Sequence, residues 1–274
     1  MLPIKTCISC HSAQLSLNCG VLTCGACDLR MAMEMHILDY KSAYCEDASL
    51  YGDHLKSLFR FQKSHNPLIG LLPFENEIIS ELSTARNVNT IVDLGCGTGR
   101  FLRAIESTGF NAIGFEVATI LVKELSNHGR NVHQGGIDEF LNSNLQADVV
   151  TLLEVVEHLE DPGTNIKNIL INKNPKQLFV VVPDWETRRR FDSRFAAHDV
   201  PPNHLSWWNQ RSLEILLGVE EYEVRVEKIP ECRRSLLGHF ARNGYKTGTT
   251  GVVDWLRALA VPPSFWLLGI AERK

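Results

Sequence analysis

The sequence has few features that would tie it to a membrane or to a nucleic acid. No apolar run approaches the roughly 20 residues that a bilayer span requires, and residues 1–5 lack the charged and apolar regions of a signal peptide. The formal net charge of −4 at pH 7 offers no general attraction to nucleic acid or to anionic lipid. We therefore expect a cytoplasmic protein without a membrane span and without a nucleic acid partner. The oligomeric state has no signature in the sequence.

The sequence also has no internal repeat and no low-complexity segment. Its 274 residues are 44% hydrophobic and 22% charged, which is the composition of an ordinary globular protein. A chain of this length can form one full-sized core with a small appendage. One local basic cluster could meet a phosphate or carboxylate of a substrate, or could form a solvated helix face. Its members are Arg188, Arg189, Arg190 and Arg194.

Cysteines are concentrated near the start of the chain. Five of the eight lie between residues 7 and 27, where two Cys-x-x-Cys pairs, Cys7 with Cys10 and Cys24 with Cys27, are separated by 13 residues. Disulfides are rare in the reducing cytoplasm, whereas four thiolates at this spacing can close a tetrahedron around zinc. We therefore predict a structural zinc site in a ribbon-like head at residues 1–30. Free or redox-active thiols are the alternative.

The ligand set of this zinc site stays open, because His11 and Cys19 are spare donors. Leu15, Leu17 and Val21, between the two pairs, are predicted to form the strands of a small ribbon. A site closed by four sulfurs leaves no coordination position for a substrate, so its role would be architectural. After the head, residues 31–73 are interpreted as a helical linker that could form part of a lid.

From residue 74 to residue 274, short apolar strands alternate with amphipathic helices. The predicted strands are 90–94, 112–115, 132–133, 147–153, 177–182, 222–228 and 265–271, and the predicted helices are 74–84, 101–107, 120–127, 165–171 and 211–217. Such alternation is typical of an α/β fold, a parallel sheet with helices on both faces. The segment at 231–262, with a helix at 253–260, is interpreted as an insertion in this domain.

A glycine-rich loop stands between the first strand of this domain and the helix after it. Asp93 lies near the end of the strand, and Gly95, Cys96, Gly97 and Gly99 follow. Glycines at alternate positions let the backbone approach a ligand, and the free amides of the next helix favour an anion. A dinucleotide fingerprint requires glycine at position 100, which is arginine here, and the Gly-Lys-Ser/Thr run of a P-loop is absent. Both phosphate-binding alternatives are therefore excluded.

Acidic residues follow at the ends of later strands. Glu116, 21 residues beyond Gly95, can accept hydrogen bonds from both ribose hydroxyls of an adenosine. We place Val117, the next residue, in the same site. Asp138, after the third strand, could bond the adenine amino group. The loop and these residues together indicate a cofactor that contains adenosine.

This combination resembles the class I S-adenosylmethionine-dependent methyltransferases. Residues 92–99 resemble the first motif of that family, and Glu116 matches its acidic residue. The resemblance implies a Rossmann-like sheet of seven strands with the last one antiparallel, for which residues 265–270 are suitable. It also implies that the glycine loop holds the methionine portion of S-adenosyl-L-methionine and that the acidic residue holds its ribose. The branches that this sequence resembles are the ubiquinone-pathway enzymes and methyltransferase types 11, 12 and 23.

Four further residues resemble a catalytic or metal-binding group. Glu154, which we also assign to the cofactor site, Glu157 and His158 stand at i, i+3 and i+4, so one helical face could present all three. His204 is the counterpart of the later histidine that metal-dependent small-RNA methyltransferases combine with such a run. His158, with Glu157 and His204 beside it, could act as a general base, or the four residues could bind a divalent metal. The alternative is that Glu154 and His158 only cap and pack the pocket floor.

We therefore predict methyl transfer to oxygen or carbon of a small molecule, such as a sugar, a quinone-like compound or a natural-product intermediate. Trp207 and Trp208 could line its pocket or could belong to the core. A cysteine head before such a domain resembles bacterial sugar and natural-product C-methyltransferases. One alternative is a metal-dependent RNA 2′-O-methyltransferase with the head as its RNA-binding module. Another is a non-catalytic scaffold that retains the cofactor pocket.

Overall fold

The computed structural model describes residues 4–33, 56, 58, 60–191, 199–201, 203–231 and 262–274. Most of the predicted linker, residues 34–55, lies outside these ranges, as do residues 232–261 with the predicted helix at 253–260. The lid and the insertion therefore stay predictions. Within the described ranges, no helix combines the length and the apolar character that a membrane crossing needs.

The strands of the described residues form two sheets. They are β1 (Leu15–Asn18), β2 (Val21–Cys24), β3 (Arg30–Ala32), β4 (Thr90–Leu94), β5 (Asn111–Glu116), β6 (Val132–Gln134), β7 (Val149–Leu153), β8 (Gln177–Pro183), β9 (Ser206–Trp207), β10 (Tyr222–Pro230) and β11 (Ser264–Arg273). The larger sheet has seven strands in the order β10-β11-β8-β7-β4-β5-β6. The smaller sheet has four, in the order β1-β2-β3-β9.

Helices connect the strands of the larger sheet. They are α1 (Pro73–Thr84), α2 (Arg100–Ser107), α3 (Thr119–Asn127), α4 (Ile137–Asn142), α5 (Pro162–Asn168), α6 (Trp185–Phe191) and α7 (Gln210–Leu217). A single 3₁₀ turn covers Val156–His158, and a π-helical turn, Ile169–Lys173, continues α5. The chain therefore alternates strand and helix from β4 to β8, as the apolar pattern predicts.

The larger sheet is parallel at its centre and antiparallel at one side. β4 pairs in parallel with β5 and with β7, and β6 and β8 extend the parallel part. β11 lies antiparallel between β8 and β10. Residues alternate along β8 between two apolar cores, since Val180 belongs to one and Val181 to the other, so both faces of the sheet are covered. The α/β class, the seven strands and the antiparallel last strand are confirmed.

The helix predicted at 165–171 begins earlier and ends differently. It starts at Pro162, and the side chain of Asp161 accepts a hydrogen bond of 3.1 Å from the backbone amide of Thr164. An N-cap aspartate followed by proline is a strong start signal that apolar spacing alone does not detect. From Ile169 the backbone widens into the π-helical turn instead of continuing as α-helix.

The head forms the four-stranded sheet together with a strand from the main domain. The strands predicted around Leu15, Leu17 and Val21 are confirmed, since β1 and β2 pair in an antiparallel hairpin. The interpretation of residues 31–73 as helical is wrong at its start, because Arg30–Ala32 is β3, which pairs with β2 and with β9. The sequence pattern does not predict this pairing, because β9 is distant in sequence and has only two residues.

The head and the larger sheet share one apolar core. Cys7, Cys24, Leu29 and Met31 are fully buried and belong to the same cluster as Val180 of β8. A segment of about 30 residues has too little apolar surface of its own to form a stable core. The main domain therefore supplies much of the burial that the head needs.

Candidate cofactor and catalytic site

The glycine-rich loop joins β4 to α2 with three glycines in the left-handed region. The φ angle is 78° at Gly95, 53° at Gly97 and 68° at Gly99, where residues with a Cβ atom are strained. A Cβ at Gly95 would lie 2.6 Å from a methyl group of Val155, and one at Gly99 would lie 2.4 Å from Leu125. One at Gly97 would meet nothing within 4 Å. Gly95 and Gly99 are therefore needed for packing, whereas Gly97 leaves its backbone open to a ligand.

A cavity of about 590 Å³ lies beside this loop, at the carboxyl ends of β4, β5 and β7. Its volume is in the range of small-molecule sites, and its place is where α/β sheets bind ligands. Eight of the predicted site residues line it, namely Asp93, Gly95, Cys96, Gly97, Glu116, Val117, Glu154 and His158. Four do not line it, namely Gly99, Asp138, Glu157 and His204.

Glu116 ends β5 with its carboxylate held by backbone amides. One oxygen accepts from the amide of Gly97 and the other from the amide of Ala118, each at 2.8 Å. Burial raises the pKa of Glu116, and these amides oppose the rise. Each carboxylate oxygen can accept a second hydrogen bond. The carboxylate is therefore positioned beside the open face of Gly97 with capacity for two hydroxyl donors, which fits the ribose of an adenosine.

Asp93 is buried below the loop, where its carboxylate accepts a hydrogen bond of 2.6 Å from the hydroxyl of Thr151. Burial raises its pKa from 3.8 to about 7, although the hydrogen bond from Thr151 opposes the rise. The negative charges of Glu75 and Glu116 raise it further. This wall of the cavity therefore carries negative charge when Asp93 and Glu116 are ionised, while Arg100 neutralises Glu75.

Three other predicted cofactor residues differ in their environments. The thiol of Cys96 packs under the loop, because a Cβ at Gly114 would lie 2.7 Å from its sulfur, and burial raises its pKa well above the ordinary value. This thiol is therefore not a reactive one. Val117 lines the cavity. Asp138 is exposed in the first turn of α4, where its neighbour Ile137 lines the cavity, so its bond to adenine stays a prediction.

Three residues that the sequence pattern did not identify complete the loop's surroundings. The amide group of Gln62 donates to the carbonyl oxygens of Thr98 and Gly99, at 3.1 and 3.3 Å. Arg100, which replaces the last glycine of a dinucleotide fingerprint, forms a two-pronged ion pair with the buried Glu75. In the sequence only Arg100 pointed to this ion pair, because Glu75 lies 25 positions earlier and no local pattern links the two residues.

The helical face predicted for residues 154–158 is wrong. Glu154 has a φ of 56° at the end of β7, and the residues after it form only a single 3₁₀ turn. One oxygen of Glu154 accepts from the indole of Trp266 at 3.1 Å and lies 3.3 Å from Arg188. The sharp turn at Glu154 interrupts the backbone between β7 and the 3₁₀ turn. Glu154 therefore shares no helical face with Glu157 and His158. It lines the cavity but does not join the candidate metal ligands.

Glu157 is completely buried, and its environment differs from those of the other carboxylates. Neither of its side-chain oxygens has a hydrogen-bond partner among the described residues. Burial raises its pKa well above 4.5, and the charge of Glu154 adds to the rise. A buried carboxyl group without partners is costly. This group therefore indicates either a proton or a bound cation.

His158 and His204 pack edge to face, with ring centroids 4.7 Å apart. Nδ1 of His158 lies 2.6 Å from the carbonyl oxygen of Asn203, and Nδ1 of His204 lies 3.6 Å from a carboxylate oxygen of Asp199. Burial lowers the pKa of His158, and the contact with Asn203 opposes this. The imidazole of His158 is therefore neutral near pH 7.

Glu157, His158 and His204 each bring one donor atom to a group in which all such atoms lie within 4.8 Å of one another. The predicted catalytic residues are thus brought together, although only His158 lines the cavity. A cation held by all three would therefore lie in the wall behind His158. Oxygen and imidazole donors suit divalent ions such as Mn²⁺ or Zn²⁺.

The predicted basic cluster does not face a ligand at Arg188. This side chain is buried, and it lies 3.3 Å from carboxylate oxygens of both Glu154 and Asp199. The solvated face is wrong for Arg188, because the side chain is buried against the buried Asp199 and the half-buried Glu154. The substrate contact stays a prediction. Arg194 lies outside the described residues.

Trp207 and Trp208 belong to the core and not to the cavity wall. Both are buried, Trp207 packs against Trp185 with ring centroids 5.5 Å apart, and the indole of Trp208 donates to the hydroxyl of Ser206 at 2.9 Å. Neither lines the cavity. Of the two interpretations, the core one agrees with these contacts.

The four cysteines of the head converge. Cys7 and Cys27 have their sulfurs 3.6 Å apart, as do Cys10 and Cys24, and all four sulfurs lie within 4.8 Å of one another. A zinc ion about 2.3 Å from each sulfur would separate them by about 3.8 Å. The donor set and its size therefore fit a tetrahedral zinc. The spare donors lie elsewhere, since Cys19 is exposed and His11 faces Asp161 at 3.9 Å.

Comparisons with known proteins agree with this geometry. The family model described as a methyltransferase domain matches residues 72–225. A ubiquinone biosynthesis O-methyltransferase of Rickettsia canadensis (strain McKiel) is 34% identical over 182 residues, which are 62% of this chain and 75% of the relative. A protein of the same name from Bordetella avium (strain 197N) is 25% identical over 142 residues, which are 44% of this chain and only 59% of the relative.

A solved structure supports the fold alone. The SAM-dependent methyltransferase from Archaeoglobus fulgidus matches with a TM-score of 0.55 and 16% identity, over 80% of this chain and 99% of that one. The seven-stranded sheet described above is therefore the architecture of known methyltransferases.

Gly97→Arg is expected to weaken binding of S-adenosylmethionine at least about 100-fold, or roughly 2.7 kcal/mol. The new side chain would project from the one glycine of the loop whose Cβ position is open, into the space where the backbone receives the ligand. Titration calorimetry measures the change. Gly129→Arg is the matched control, because Gly129 also has a positive φ of 75° and open space around it, but is exposed outside the cavity. Unchanged affinity in Gly97→Arg would contradict the loop assignment.

Asp93→Asn is expected to gain stability relative to the wild-type protein as the pH rises from about 5 to about 8. The folded-state pKa of Asp93, about 7, lies above the unfolded value near 3.8. The folded wild-type protein therefore binds more protons in that window, and its free energy of unfolding falls as they are lost. Urea unfolding at several pH values, without cofactor, measures the difference.

Asp148→Asn is the control for this titration. Burial raises the pKa of Asp148, but Lys176 and the amides of Thr90 and Asn89 together outweigh it and lower the pKa. The contribution of Asp148 to the free energy of unfolding is therefore complete above pH 5. The free energy of unfolding that Asp148→Asn loses should be constant from pH 5 to 8. A constant difference for Asp93→Asn as well would show that Asp93 is ionised throughout.

Proposed function

Because this chain belongs to the methyltransferase domain family, we propose that it transfers the methyl group of S-adenosylmethionine to a hydroxyl oxygen of a small molecule, with His158 as the general base. One observation carries the proposal: the open backbone of Gly97, the carboxylate of Glu116 and the imidazole of His158 all line the same cavity. The site that fits the cofactor is therefore also the site that contains a proton acceptor.

The hydrogen bond of His158 determines which of its nitrogens accepts the proton. The carbonyl oxygen of Asn203 can only accept, so Nδ1 of His158 carries the hydrogen in this contact. Nε2 then has the lone pair. Because burial lowers the pKa of His158, the neutral form predominates near pH 7, and the ring can accept a proton there.

The reaction balances with the groups present. When bound, the cofactor supplies a methyl carbon that its positively charged sulfur has already activated. The acceptor oxygen forms the new C–O bond while the C–S bond breaks, and the hydroxyl proton passes to Nε2 of His158. In-line positioning by the cavity walls supplies much of the rate. Glu116 and the ionised fraction of Asp93 favour binding of the cationic cofactor over its neutral product, whereas Arg100 neutralises the charge of Glu75.

A phenolic, quinone-like acceptor is the best-supported substrate class. The two relatives described above are named for O-methylation in ubiquinone biosynthesis, and the match extends over 59% of one and 75% of the other. The cavity also has apolar walls that suit a flat ring, formed by Phe61, Leu72, Phe74, Leu153 and Leu159. A phenol has a pKa near 10, so a neutral histidine can assist its ionisation.

A bound divalent cation is a second candidate for the role of Glu157, His158 and His204. The observation in its favour is the pair of unpartnered oxygens on the buried Glu157. A cation there would bind the histidines and exclude His158 from acting as a base. RNA methylation, which the sequence left open, has no comparable support, because the net charge is −4 and RNA binding depends on positive charge.

His158→Ala is expected to keep the affinity for S-adenosylmethionine within about twofold and to lower kcat by about 100-fold or more, the range of general-base catalysis. Transfer of a labelled methyl group is measured against phenols, sugars, carbon acids and an RNA pool. His128→Ala is the matched control, because Nδ1 of His128 also contacts a backbone carbonyl, that of Glu124, but lies outside the cavity. Near-normal turnover in His158→Ala would refute its role as the base.

A chelator separates the two candidates. EDTA could abolish turnover, and Mn²⁺ or Mg²⁺ could restore it, while zinc analysis shows that the head still holds its zinc. That result would contradict His158 as the general base and support a cation bound by Glu157, His158 and His204. Labelling of RNA but of no small molecule would overturn the substrate class.

The four cysteines of the head are proposed to bind one structural zinc ion, in a reducing compartment such as the cytoplasm. Elemental analysis should find about one zinc per chain. Cys24→Ser is expected to lose the metal and to lower the melting temperature, because a tetrahedral site needs all four ligands. Cys19→Ser, at an exposed cysteine outside the group, should change neither quantity. Zinc-free protein from a zinc-supplemented culture would contradict the site.

A further inference from the structure

We propose that the zinc-loaded head is a clamp that sets the position of His204 relative to Glu157 and His158. The inference rests on the zinc site proposed above and assigns it a role in the catalytic site. The first Cys-x-x-Cys knuckle (residues 7–10) and the second (residues 24–27) contact two different segments of the main domain. These segments follow the two parts of the catalytic group, which are Glu157 with His158 on one side and His204 on the other. A metal that joins the knuckles would therefore join the segments.

The first knuckle holds the segment that follows His158. The amide of Gly163, in the first turn of α5, donates to the carbonyl oxygen of Ile8 at 2.9 Å. The approach is so close that a Cβ at Gly163 would lie 2.2 Å from the carbonyl oxygen of Ser9. The 3₁₀ turn that carries Glu157 and His158 ends four residues before α5 begins. The first knuckle thus fixes this side of the site.

The second knuckle holds the segment that follows His204. The guanidinium of Arg211, at the start of α7, donates to the carbonyl oxygen of Ala26, and the side-chain amide of Asn209 donates to that of Asp28, each at 2.9 Å. Residues 26 and 28 belong to, or directly follow, the Cys24–Cys27 pair. The second knuckle thus fixes the other side of the site.

Strand pairing connects the head directly to the catalytic group. Met31 of β3 pairs with Ser206 of β9, two residues after His204, and the amide of Ala32 donates to the carbonyl oxygen of Leu205 at 2.9 Å. The amide of Leu205 in turn donates to the carbonyl oxygen of Glu157 at 2.8 Å. The backbone of Leu205 therefore connects the head to both halves of the catalytic group, because Leu205 follows His204 directly and is hydrogen-bonded to Glu157.

The clamp depends on the metal because the ion would be the strongest link between the two knuckles, which otherwise share apolar burial and a hydrogen bond from the amide of Gly25 to the carbonyl oxygen of Gln14. Most residues of β1 are exposed, and β1 and β2 have only four residues each. All four sulfurs lie within 4.8 Å of one another, so one ion would bond to both knuckles at once. The described hydrogen bonds of the glycine loop run instead to β5 and to Gln62. Loss of zinc should therefore affect the catalytic group and leave the cofactor loop in place.

The first test follows the histidine side chains directly. Wild-type protein and Cys24→Ser, which changes only the cysteine site and leaves Glu157, His158 and His204 able to bind a metal, are labelled with ¹⁵N-histidine and compared by NMR in the same zinc-containing buffer. Calorimetry measures the affinity of both proteins for S-adenosylmethionine. We expect the imidazole resonances of His158 and His204 to shift while the affinity stays within about twofold. Unchanged resonances, or loss of cofactor affinity together with the zinc, would overturn the clamp.

A second variant moves the clamp without removing the metal. Gly163→Ala is expected to push the first knuckle away from α5, and it keeps all four cysteines. Gly218→Ala, at the end of α7, is its control, because a Cβ at Gly218 would lie no closer than 3.3 Å to the nearest backbone atom. With zinc content unchanged, Gly163→Ala should shift the same two resonances and lower kcat at least about tenfold, with KM for the cofactor within about twofold. Normal resonances and normal kcat would refute the proposal. Absence of methyl transfer in the wild-type protein would contradict the proposed function, whereas the resonances would still decide the clamp.

Discussion

The contact between Gly95 and Val155 is the constraint on which the site depends. β4 and β7 are neighbours in the sheet, so the turns that follow them meet at one edge, and the side chain of Val155 occupies the space that a Cβ at position 95 would need. This contact brings the cofactor loop against the start of the turn that carries His158. The cavity lies where these two turns meet, and a side chain at position 95 would separate them.

Four of the buried carboxyl groups around this region differ in their hydrogen-bond partners. Glu75 has an arginine, Glu116 has two backbone amides, and Asp93 has a single hydroxyl donor. Glu157 has no hydrogen-bond partner among the described residues. The first three border the cofactor pocket, where negative charge suits a cationic sulfonium. The fourth lies behind His158, where a proton or a cation would satisfy it.

Much of the fold and of the cofactor site follows from local sequence. The glycine spacing, the apolar strands and Glu116 predict β4, the loop and the ribose carboxylate, because such elements depend on residues close in the chain. The incorrect predictions share one cause. Glu154 leaves the expected helical face because β7 must turn, Arg188 faces carboxylates and not solvent, and β3 pairs with a strand about 175 positions later. Each of these depends on a partner that is distant in sequence.

The sequence by itself determined the α/β class, the cofactor loop and the two cysteine pairs, because turns, periodicity and metal-ligand spacing are local properties. Only the tertiary structure decided which residues meet at the catalytic group. It brings His204 beside Glu157 and His158, separates Glu154 from them, and joins the cysteine head to β9. The physical reason is that backbone pairing between distant segments, here through Leu205, fixes these positions. No periodicity within either segment encodes its partner.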